Sequence, residues 1–493
     1  MTRARSPLLA VLALTALGAA LRFPTLDRQS FWLDELVTVS LLDRGLGDVL
    51  HEIPRTEATP FVYYVVAWLW GSVFGLGEVG IRSLSALAGT ATIPVAYGAG
   101  AVLASRRAGL VAAGLVAVNP FLVWYAQEAR SYALLSLFAA ATVLAFGLAL
   151  RGDARWLACW AAFAALAIAT HYFALFLVGA EAVWLLVRLR ASRPVVLAML
   201  VPSAVVLAHV PLVLAQRGNG EAVSGSSLVS RIAGIPKNLV VGYSFPAEAL
   251  GSALAALLLL VGIVLVARAG PRERLGAIAA GSVALAMVVA PVLLALVGVD
   301  FLIARNTIGA VVPAAVCVGA GYATGRLGLA AATALCVVSA AVALAPAIDT
   351  TYGRTDWRGA AAVLRTTEGD RAIVVTPYMS RTLWRPYLSG LREPDPNGAR
   401  VEEIAAVGLA TEGGYSAGRV EPPSVSAPRP LEGFRVVAVE RKPTYTLVLY
   451  RAARPTLVPM ATLAGLALTD EQPGVLVQAR EFPGVEGAFR PPG

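Results

Sequence analysis

The chain of 493 residues is strongly apolar, with 57% hydrophobic and only 14% charged residues, against about 25% charged residues in soluble domains. This composition excludes a wholly soluble protein, because most of the chain must be solvated by lipid. The net charge is +9, yet the basic residues stand in small groups between apolar segments. That pattern is typical of the cytoplasmic loops of membrane proteins and argues against nucleic-acid binding.

Apolar runs of the length of a membrane span recur along most of the chain. The first run, preceded by Arg3 and Arg5, has features of a cleavable signal peptide, but among so many apolar runs an uncleaved first span is favoured. The two runs beside His171 are short for a span, so they form two spans, a broken hairpin or one long tilted helix. A transmembrane helix needs roughly 20 largely apolar residues, and about eleven such runs are predicted, near 7–23, 82–104, 108–126, 132–150, 156–170, 172–188, 194–215, 249–267, 275–298, 307–325 and 327–347.

Basic residues between the runs predict the orientation. If the N-terminus is cytoplasmic, alternate crossings place these basic residues on the cytoplasmic side, as the positive-inside rule requires: Arg106, Arg107, Arg151, Arg155, Arg188, Arg190, Arg193, Arg268, Arg272, Arg274 and Arg326. The outer face then carries the 24–81 loop, the turn at Gln127–Ser131, the 217–248 loop and everything after about residue 348. We therefore predict a multi-pass protein of the inner (plasma) membrane with its C-terminal domain outside the cytoplasm.

The first outer loop contains two adjacent carboxylates, Asp34 and Glu35, in the stretch FWLDEL. On a helix they would diverge by about 100°, so one can face a site while the other meets solvent, backbone or a partner. A carboxylate near the membrane surface can act as a general base if burial raises its pKa. The alternative is a solvated acidic turn that caps the next helix.

The same loop continues with EATPFVYY, which begins at Glu57. Pro60 suits the first turn of a helix, and Glu57 either favours the positive end of that helix or lines a polar cavity with Tyr63 and Tyr64. The apolar and aromatic segment 60–75 does not fit the topology as another full span. We predict a helix lying in the membrane interface, because Trp and Tyr favour that depth and an added crossing would invert every later loop.

A third polar group interrupts the apolar pattern between two predicted spans, in the stretch NPFLVWYAQEARSYALL. It contains Gln127, Glu128, Arg130 and Tyr132. Glu128 and Tyr132 would share one face of a helix, whereas Glu128 and Arg130 would not. An ordinary surface turn can hold any one of these residues, but their concentration at a helix boundary on the outer face favours a functional role.

Four ionisable residues lie at or near membrane depth, where charge is costly and usually faces a cavity or a partner. Arg305 either extends its side chain to the interface or holds a lipid phosphate, which its planar guanidinium suits. For His171 a hydrogen-bonded packing role is favoured over metal ligation. His209 is expected on a proline-kinked helix, and Glu181 is expected to be paired within the helix bundle.

The composition becomes typical of a soluble domain from Asp349 onward. DWRGAAAVLR predicts a short helix that starts near Thr355 or Asp356. RAIVVTP predicts a strand, FRVVAVERKPTYTLVLYRA predicts two strands around Lys442–Thr444, and the Pro- and Gly-rich 389–430 connects them. We therefore predict a mainly α membrane domain over 1–348 and a small extracytoplasmic α/β or α+β domain over 349–493, with a loosely ordered tail near 480–493.

Several classes of chemistry find no support. Cys159, Cys317 and Cys336 all lie inside apolar runs and are interpreted as packing residues, with no disulfide framework or Cys-based metal site. Walker A, dinucleotide-binding and HExxH motifs are not found, so ATP-driven pumping, NAD chemistry and zincin proteolysis are not supported.

The motifs resemble, in their order, those of bacterial membrane glycosyltransferases of the GT-C class: FWLDE, TPFVYY, NPFLVWYAQEARSYAL, THYF, ARNT and DWRGAA. The chain is similar to the family-39 protein O-mannosyltransferases and the lipid A aminoarabinose transferases over roughly residues 7–388. It departs from their common His-Pro-Pro or Lys-Pro-Pro pattern at Ala58-Thr59-Pro60, and it reads ARNT where an Arg-Tyr pair is frequent.

The resemblance implies a catalytic base, a lipid-linked donor and a pocket for them. Asp34 would be the base, with Glu35 as support or as the alternative, and the donor would be a sugar on a polyprenyl monophosphate. The acceptor would be a protein, lipid or glycan hydroxyl, attacked with inversion. The candidate substrate-binding residues are Glu57, Tyr63, Tyr64, Gln127, Glu128, Arg130, Tyr132, His171 and Arg305, of which Arg305 would contact the lipid phosphate.

Neither a nucleotide sugar nor ATP is expected to be needed. A divalent metal is possible in relatives, but the sequence shows no convincing ligand set for one.

Two other functions remain open at this point. A polytopic transporter or flippase for a lipid-linked or envelope substrate would use Glu181, His209 and the Gly-rich spans as a pathway. Transporters often show internal repeats, which are not found in this sequence, and the polar residues crowd one face. A membrane-tethered binding protein would instead work through its outer domain.

Overall fold

The structure is a computed structural model that describes residues 5–219, 227–243, 248–349, 352–365, 367, 369–376, 378–409, 422–425 and 427–479. The chain divides into two compact units. The first comprises Met1–Leu26 and Thr38–Ala345, and the second comprises Asp27–Val37 and most of the chain from Pro346 onward.

The described chain from Arg5 to Ile348 is almost entirely helical. A 3-10 helix, Ala304–Ala310, precedes the fifteenth helix. The α-helices are α1 (Arg5–Arg22), α2 (Leu33–Leu42), α3 (Leu46–Thr56), α4 (Phe61–Phe74), α5 (Glu78–Leu103), α6 (Arg106–Val118), α7 (Pro120–Tyr125), α8 (Tyr132–Ala149), α9 (Arg155–Thr170), α10 (Ala174–Arg188), α11 (Arg193–Ala215), α12 (Leu228–Val241), α13 (Glu248–Val266), α14 (Pro271–Leu296), α15 (Val311–Tyr322) and α16 (Arg326–Ile348).

Each predicted apolar run contains helix, but the run 108–126 is divided into two α-helices. The run 108–126 divides at Asn119, whose Oδ1 accepts from the backbone N–H of Leu122 (2.9 Å) and caps α7. Pro120 favours this break because its ring disfavours helical backbone at the preceding residue. The runs beside His171 are the separate helices α9 and α10, so the alternative of one long tilted helix is not realised.

Six helices within the described residues are long and apolar enough to cross a membrane by length and composition: α5, α8, α11, α13, α14 and α16. The predicted count of about eleven spans stays a prediction. Helix α4 has 14 residues and would be about 21 Å long, shorter than the roughly 30 Å hydrocarbon core of a bilayer. Its length suits the predicted interfacial position, which itself stays a prediction.

Small residues let helices of the first unit pack closely. A Cβ on Gly100 of α5 would lie 2.7 Å from Gly109 Cα of α6, and a Cβ on Gly319 of α15 would lie 2.9 Å from Ala108 O. Close backbone approach of this kind is the usual basis of helix association in lipid. The three cysteines are free thiols that pack against this core.

The second unit contains a six-stranded sheet in the order β2-β6-β1-β3-β5-β4. Only β1 and β3 pair in parallel; the other pairs are antiparallel. Two α-helices and a 3-10 helix, Tyr378–Trp384, accompany it: α17 (Trp357–Leu364) and α18 (Met460–Ala464). The strands are β1 (Arg371–Thr376), β2 (Leu391–Arg392), β3 (Ala399–Leu409), β4 (Phe434–Arg441), β5 (Tyr445–Val458) and β6 (Gly474–Gln478).

The predicted helix at Asp356, the strand RAIVVT and the strand pair around Lys442–Thr444 are all found. The interpretation of 389–430 as a connector is wrong, because β3 runs through its middle. All but two residues of β3 are buried, so its sequence lacks the polar alternation that marks a half-buried strand. The predicted loose tail at 480–493 lies outside the described residues.

Candidate active site

The acidic motif begins α2 and belongs to the second unit. Ser30 fixes the segment that precedes this helix. Its Oγ donates to Thr355 O (3.0 Å) and accepts from Trp357 N (2.9 Å). The backbone N–H of Phe31 donates to the hydroxyl of Tyr387 (2.8 Å). Hydrogen bonds from residues distant in the sequence therefore fix the segment that precedes the first turn of α2.

Glu35 is fully buried and engaged in an ion pair. Its Oε2 accepts from Arg354 Nη1 (3.1 Å) and, at 3.3 Å, from the backbone N–H of Trp32. The Arg354 guanidinium also lies 5.3 Å from the centre of the Trp32 ring. The charge of Glu35 is compensated by a buried cation, and loss of either partner would leave an uncompensated charge inside the fold.

Asp34, the preceding residue, is in a different environment. It lies in the first turn of α2 and is half-buried, whereas Glu35 is fully buried. The predicted divergence of two neighbouring carboxylates on one helix is therefore observed, with Glu35 facing the interior of its unit.

A buried polar network in the first unit joins the predicted 24–81 outer loop to the third motif. Arg130 Nη1 donates to Glu57 Oε2 (2.9 Å) and to Thr38 Oγ1 (2.9 Å). The hydroxyl of Tyr64 donates to the same Glu57 oxygen, and Thr59 Oγ1 lies 2.9 Å from that hydroxyl. Glu57 thus binds both a cation and a phenol, and these bonds link α2, the start of α4 and the Gln127–Ser131 turn.

The segment around Glu57 is held from a second side. Asn219 Nδ2 donates to Glu57 O (2.8 Å), and Gln216 Nε2 donates to Thr59 O (3.2 Å). Tyr172 in turn donates to Gln216 Oε1 (2.7 Å). Glu57 is the C-cap residue of α3, and the N-cap of α4 is Pro60. Glu57 therefore belongs to a cross-linked polar layer at the ends of several helices.

Arg305 lies at the start of the 3-10 helix and faces an aromatic cluster. Its guanidinium carbon is 5.8 Å from the centre of the Tyr132 ring, within the range of a cation–π contact. The Tyr132 ring lies 4.8 Å from that of Tyr125 and 5.8 Å from that of His171. The hydroxyls of Tyr125 and Tyr243 share a hydrogen bond.

Glu128 and Arg130 contribute charge to this cluster. Glu128 is fully buried in the turn between α7, which ends at Tyr125, and α8, which begins at Tyr132. The prediction that Glu128 and Tyr132 share one helix face is wrong, because Glu128 lies in a bend before α8 begins. Glu128 and Arg130 both belong to the turn that connects the helices carrying Tyr125 and Tyr132.

His171 occupies the turn between α9 and α10 and is almost fully buried. Burial, followed by the positive charges of Arg130 and Arg305, lowers its pKa from the ordinary 6.5 to about 3. Its Nδ1 accepts from the backbone N–H of Phe173 at 3.3 Å. His171 is therefore a neutral imidazole that can accept or donate a hydrogen bond at physiological pH.

The remaining predicted residues have structural partners. Gln127 Nε2 donates to Thr25 Oγ1 (2.7 Å) and to the carbonyls of Leu21 and Arg22, at 3.0 and 3.1 Å. It therefore fixes the Gln127–Ser131 turn to the end of α1. Tyr63 is buried edge-on against Tyr64, with ring centres 5.4 Å apart.

Two ionisable groups lie outside the cluster. Glu181 accepts from Trp160 Nε1 (2.7 Å) and Thr142 Oγ1 (3.2 Å), so it is paired within the helix bundle as expected. His209 Nδ1 lies 2.7 Å from Val205 O, one turn earlier in the proline-containing α11. These contacts do not involve residues of the polar layer around Glu57.

The sequence alone did not identify several members of the site, including Thr38, Tyr125 and Tyr243. Tyr125 stands within the third motif and Tyr243 in the predicted 217–248 outer loop, but neither residue type nor spacing marks them as site residues in the sequence. The predicted convergence of Asp34 with Glu128 and Arg305 stays a prediction, since Asp34 belongs to the second unit and the other two to the first.

Within the described ranges, no group of three or more His, Cys, Asp and Glu side chains is arranged to hold a metal ion. The expectation that no cofactor is required stays a prediction.

The chain matches a known protein family over part of its length. Residues 58–214 match the model of the dolichyl-phosphate-mannose-protein mannosyltransferases. That range contains Tyr63, Tyr64, the third motif and His171, but it excludes Asp34, Glu35, Glu57 and Arg305. A comparison with curated protein sequences gives no match.

Solved structures of similar fold include ArnT from Cupriavidus metallidurans bound to undecaprenyl phosphate, with 18% identity and a TM-score of 0.50 over 72% of this chain and 68% of that one. The apo form of ArnT matches with 18% identity and a TM-score of 0.48 over 64% and 60%. Oligosaccharyltransferase AglB from Archaeoglobus fulgidus, in complex with an inhibitory peptide and a dolichol-phosphate, matches with 13% identity and a TM-score of 0.45 over 74% and 58%.

The matched region thus spans less than two thirds of apo ArnT and of AglB. At these identities the likeness shows a shared fold. The family match over 58–214 and the fold shared with lipid-bound ArnT confirm the resemblance predicted from the sequence, which is to membrane glycosyltransferases of the GT-C class.

Proposed function

We propose that this protein is a membrane glycosyltransferase that moves a sugar from a polyprenyl-phosphate lipid to a hydroxyl acceptor on the extracytoplasmic face, with inversion. The observation that carries the proposal is the family match over residues 58–214. That range contains Arg130, Glu128, Tyr132 and His171, which form much of the buried polar and aromatic cluster. The six long apolar helices among the described residues suit a membrane location.

The donor class follows from the chemistry that Arg305 offers. A sugar on a polyprenyl phosphate already has a good leaving group, so the enzyme needs a cation to stabilise the departing phosphate. The Arg305 guanidinium is half-buried beside Tyr132, and its planar donors match a phosphate better than a point charge would. One structure of similar fold, that of ArnT, holds undecaprenyl phosphate, which agrees with a lipid monophosphate here.

Asp34 is proposed as the general base that takes the proton of the acceptor hydroxyl. Glu35 is committed to Arg354 in a buried ion pair, whereas Asp34 is half-buried in the first turn of the same helix. A single base and a direct displacement at the anomeric carbon produce inversion, because the acceptor oxygen enters opposite the departing phosphate. The acceptor is a protein, a lipid or a cell-envelope glycan.

The experiment that tests this function uses the purified full chain in nanodiscs, a radiolabelled sugar on undecaprenyl phosphate, and wild-type and boiled enzyme with envelope acceptors. We expect radiolabel to leave the lipid fraction and appear in a covalent glycosyl product, identified by mass spectrometry. Movement of donor lipid or sugar into sealed vesicles without any glycosyl product would contradict the proposal and favour the transporter function.

A further inference from the structure

Helix α12 lies in the predicted 217–248 outer loop, a segment in which the sequence shows no motif. Its Arg231 side chain is 4% exposed. Arg231 Nη1 donates to Asp300 Oδ1 (2.8 Å) and to Leu302 O (2.8 Å), and its Nη2 donates to Asp300 Oδ2. One guanidinium therefore holds both oxygens of a carboxylate and a neighbouring carbonyl, a geometry that fixes direction as well as distance.

The segment held by Arg231 leads directly into Arg305. Asp300 Oδ1 also accepts from the backbone N–H of Leu302 (3.1 Å), which closes a tight turn. Asn306 then donates through its side chain to Phe301 O (2.9 Å) and through its backbone to Ile303 O (3.0 Å). The backbone that carries Arg305 is thus folded on itself, and Arg231 attaches it to α12.

The other end of α12 is attached to the third motif. Asn119 Nδ2 donates to Leu239 O (2.9 Å), and the hydroxyl of Tyr243 bonds that of Tyr125. Lys237 Nζ donates to Tyr243 O (2.9 Å), which fixes Tyr243 two residues beyond the end of α12. Since α7 carries Tyr125 and leads to Tyr132, α12 connects the two segments whose side chains meet where Arg305 faces Tyr132.

These contacts explain why α12 is ordered in an outer loop. An isolated helix of 14 residues is marginal in water, so its position depends on its attachments at both ends. The Arg231 guanidinium holds the pKa of the Asp300 carboxyl below its usual range, so the pair stays charged at neutral pH.

We propose that Arg231, acting through Asp300, is a positioning residue that orients the Arg305 guanidinium toward the phosphate of the lipid donor. The inference rests on the proposed function, in which Arg305 contacts that phosphate. Arg231 itself touches no reacting atom in this account. Its effect arises because a displacement of about 1 Å at a binding group is enough to lose most of a bidentate contact.

The test measures the binding of undecaprenyl phosphate to the purified full chain in nanodiscs. The variants are Arg305→Ala, Arg231→Ala, Asp300→Asn and the double variant Arg231→Ala/Arg305→Ala. The control is Arg155→Ala, which removes an arginine from an exposed ion pair with Asp153 in the same unit. We expect Arg305→Ala and Arg231→Ala each to raise Kd about tenfold or more and Arg155→Ala to leave Kd within twofold.

The double variant separates positioning from an independent contact. If Arg231 acts through Arg305, the double variant binds no more weakly than Arg305→Ala alone. Losses that multiply in the double variant, or an Arg231→Ala protein that binds as wild type does, would overturn the inference while leaving the proposed function intact. A wild-type protein that does not bind undecaprenyl phosphate would instead contradict the proposed donor, and with it both proposals.

Asp300→Asn tests the same ion pair if the Arg231→Ala protein does not fold. Its amide oxygen can still accept from Leu302 N, so the turn keeps that hydrogen bond while the ion pair is lost. Asp300→Asn should also raise Kd, with a Tm close to that of wild type. Arg231→Lys should bind more tightly than Arg231→Ala, since its ammonium can pair with Asp300. A Kd unchanged in Asp300→Asn would overturn the inference.

Discussion

Asp34 and Glu35 are chemically alike, yet the structure gives them different surroundings. Their adjacency in the sequence predicts that they diverge on a helix, and they do. It does not predict that Glu35 pairs with Arg354, which lies 319 residues away in the chain. The same limit applies to Glu57, whose partner Arg130 was recognised as a site residue while the bond between them was not.

Glu35→Gln should destabilise the fold. Removing one charge of a buried pair leaves Arg354 uncompensated, at a cost of about 3–5 kcal/mol. The free energy of unfolding of the full chain in detergent measures this loss. The control is Glu393→Gln in the exposed pair with Arg381 of the same unit, where side-chain exposures are 53% and 33% and the cost should be at most about 1 kcal/mol. Equal losses in the two variants would contradict the assignment of Glu35 as a stabilising residue.

His171 should make stability depend on pH. Its pKa is about 3 in the folded protein and about 6.5 when unfolded, so only the unfolded chain gains a proton between those values. Its contribution to stability is complete above pH 6.5 and is lost as the pH falls toward 3, by at most about 1.4 kcal/mol per pH unit.

His171→Gln should therefore flatten the loss of unfolding free energy between pH 7 and pH 4.5. His51→Gln, at an exposed histidine of α3, is the control and should keep the wild-type slope. If His171→Gln also keeps that slope, the imidazole is already charged in the folded protein.

Helices were easier to predict than strands in this chain. An apolar run of span length needs no distant partner to form its backbone hydrogen bonds, and the predicted runs contain helices. A strand completes its hydrogen bonds on other strands, so β3 became visible only with β1 and β5 beside it. Helix α12 was missed for a related reason, because its attachments to Asp300 and Tyr125 come from distant segments.

The start of α17 offers a local test. Asp356 Oδ1 accepts from the backbone N–H of Gly359 (2.8 Å) and caps the helix. Asp356→Ala should destabilise the first turn by about 1 kcal/mol, whereas Asp356→Asn keeps an acceptor and should cost little. Hydrogen exchange of the α17 amides measures the difference, expected as about fivefold faster exchange in Asp356→Ala. Equal exchange in both variants would show that the cap does not stabilise this helix.

The arrangement of the whole chain in the membrane still rests on sequence. The positive-inside pattern predicts the N-terminus in the cytoplasm and the C-terminal domain outside, and helix lengths alone identify six possible spans within the described residues. Orientation depends on the bilayer and on insertion, which leave no direct mark on the contacts within a folded chain.

Cysteine accessibility tests the orientation. After Cys159, Cys317 and Cys336 are replaced by Ala, single cysteines are introduced as Arg454→Cys and Arg107→Cys, both at exposed positions. A membrane-impermeant maleimide applied to spheroplasts should label the first and reach the second only after lysis. The reverse pattern would invert the topology and place the acidic motif in the cytoplasm.

The proposed reaction transfers a sugar from a polyprenyl-phosphate donor, with Asp34 as the base. The most direct measurement compares the initial transfer rates of wild type and Asp34→Asn at saturating donor, together with the anomeric configuration of the product. The rate should fall about 10²–10⁴-fold, as is usual when a general base is lost, with donor affinity unchanged and an inverted product. Transfer by Asp34→Asn at the wild-type rate would contradict Asp34 as the base. A product that retains the donor's configuration would contradict an inverting reaction.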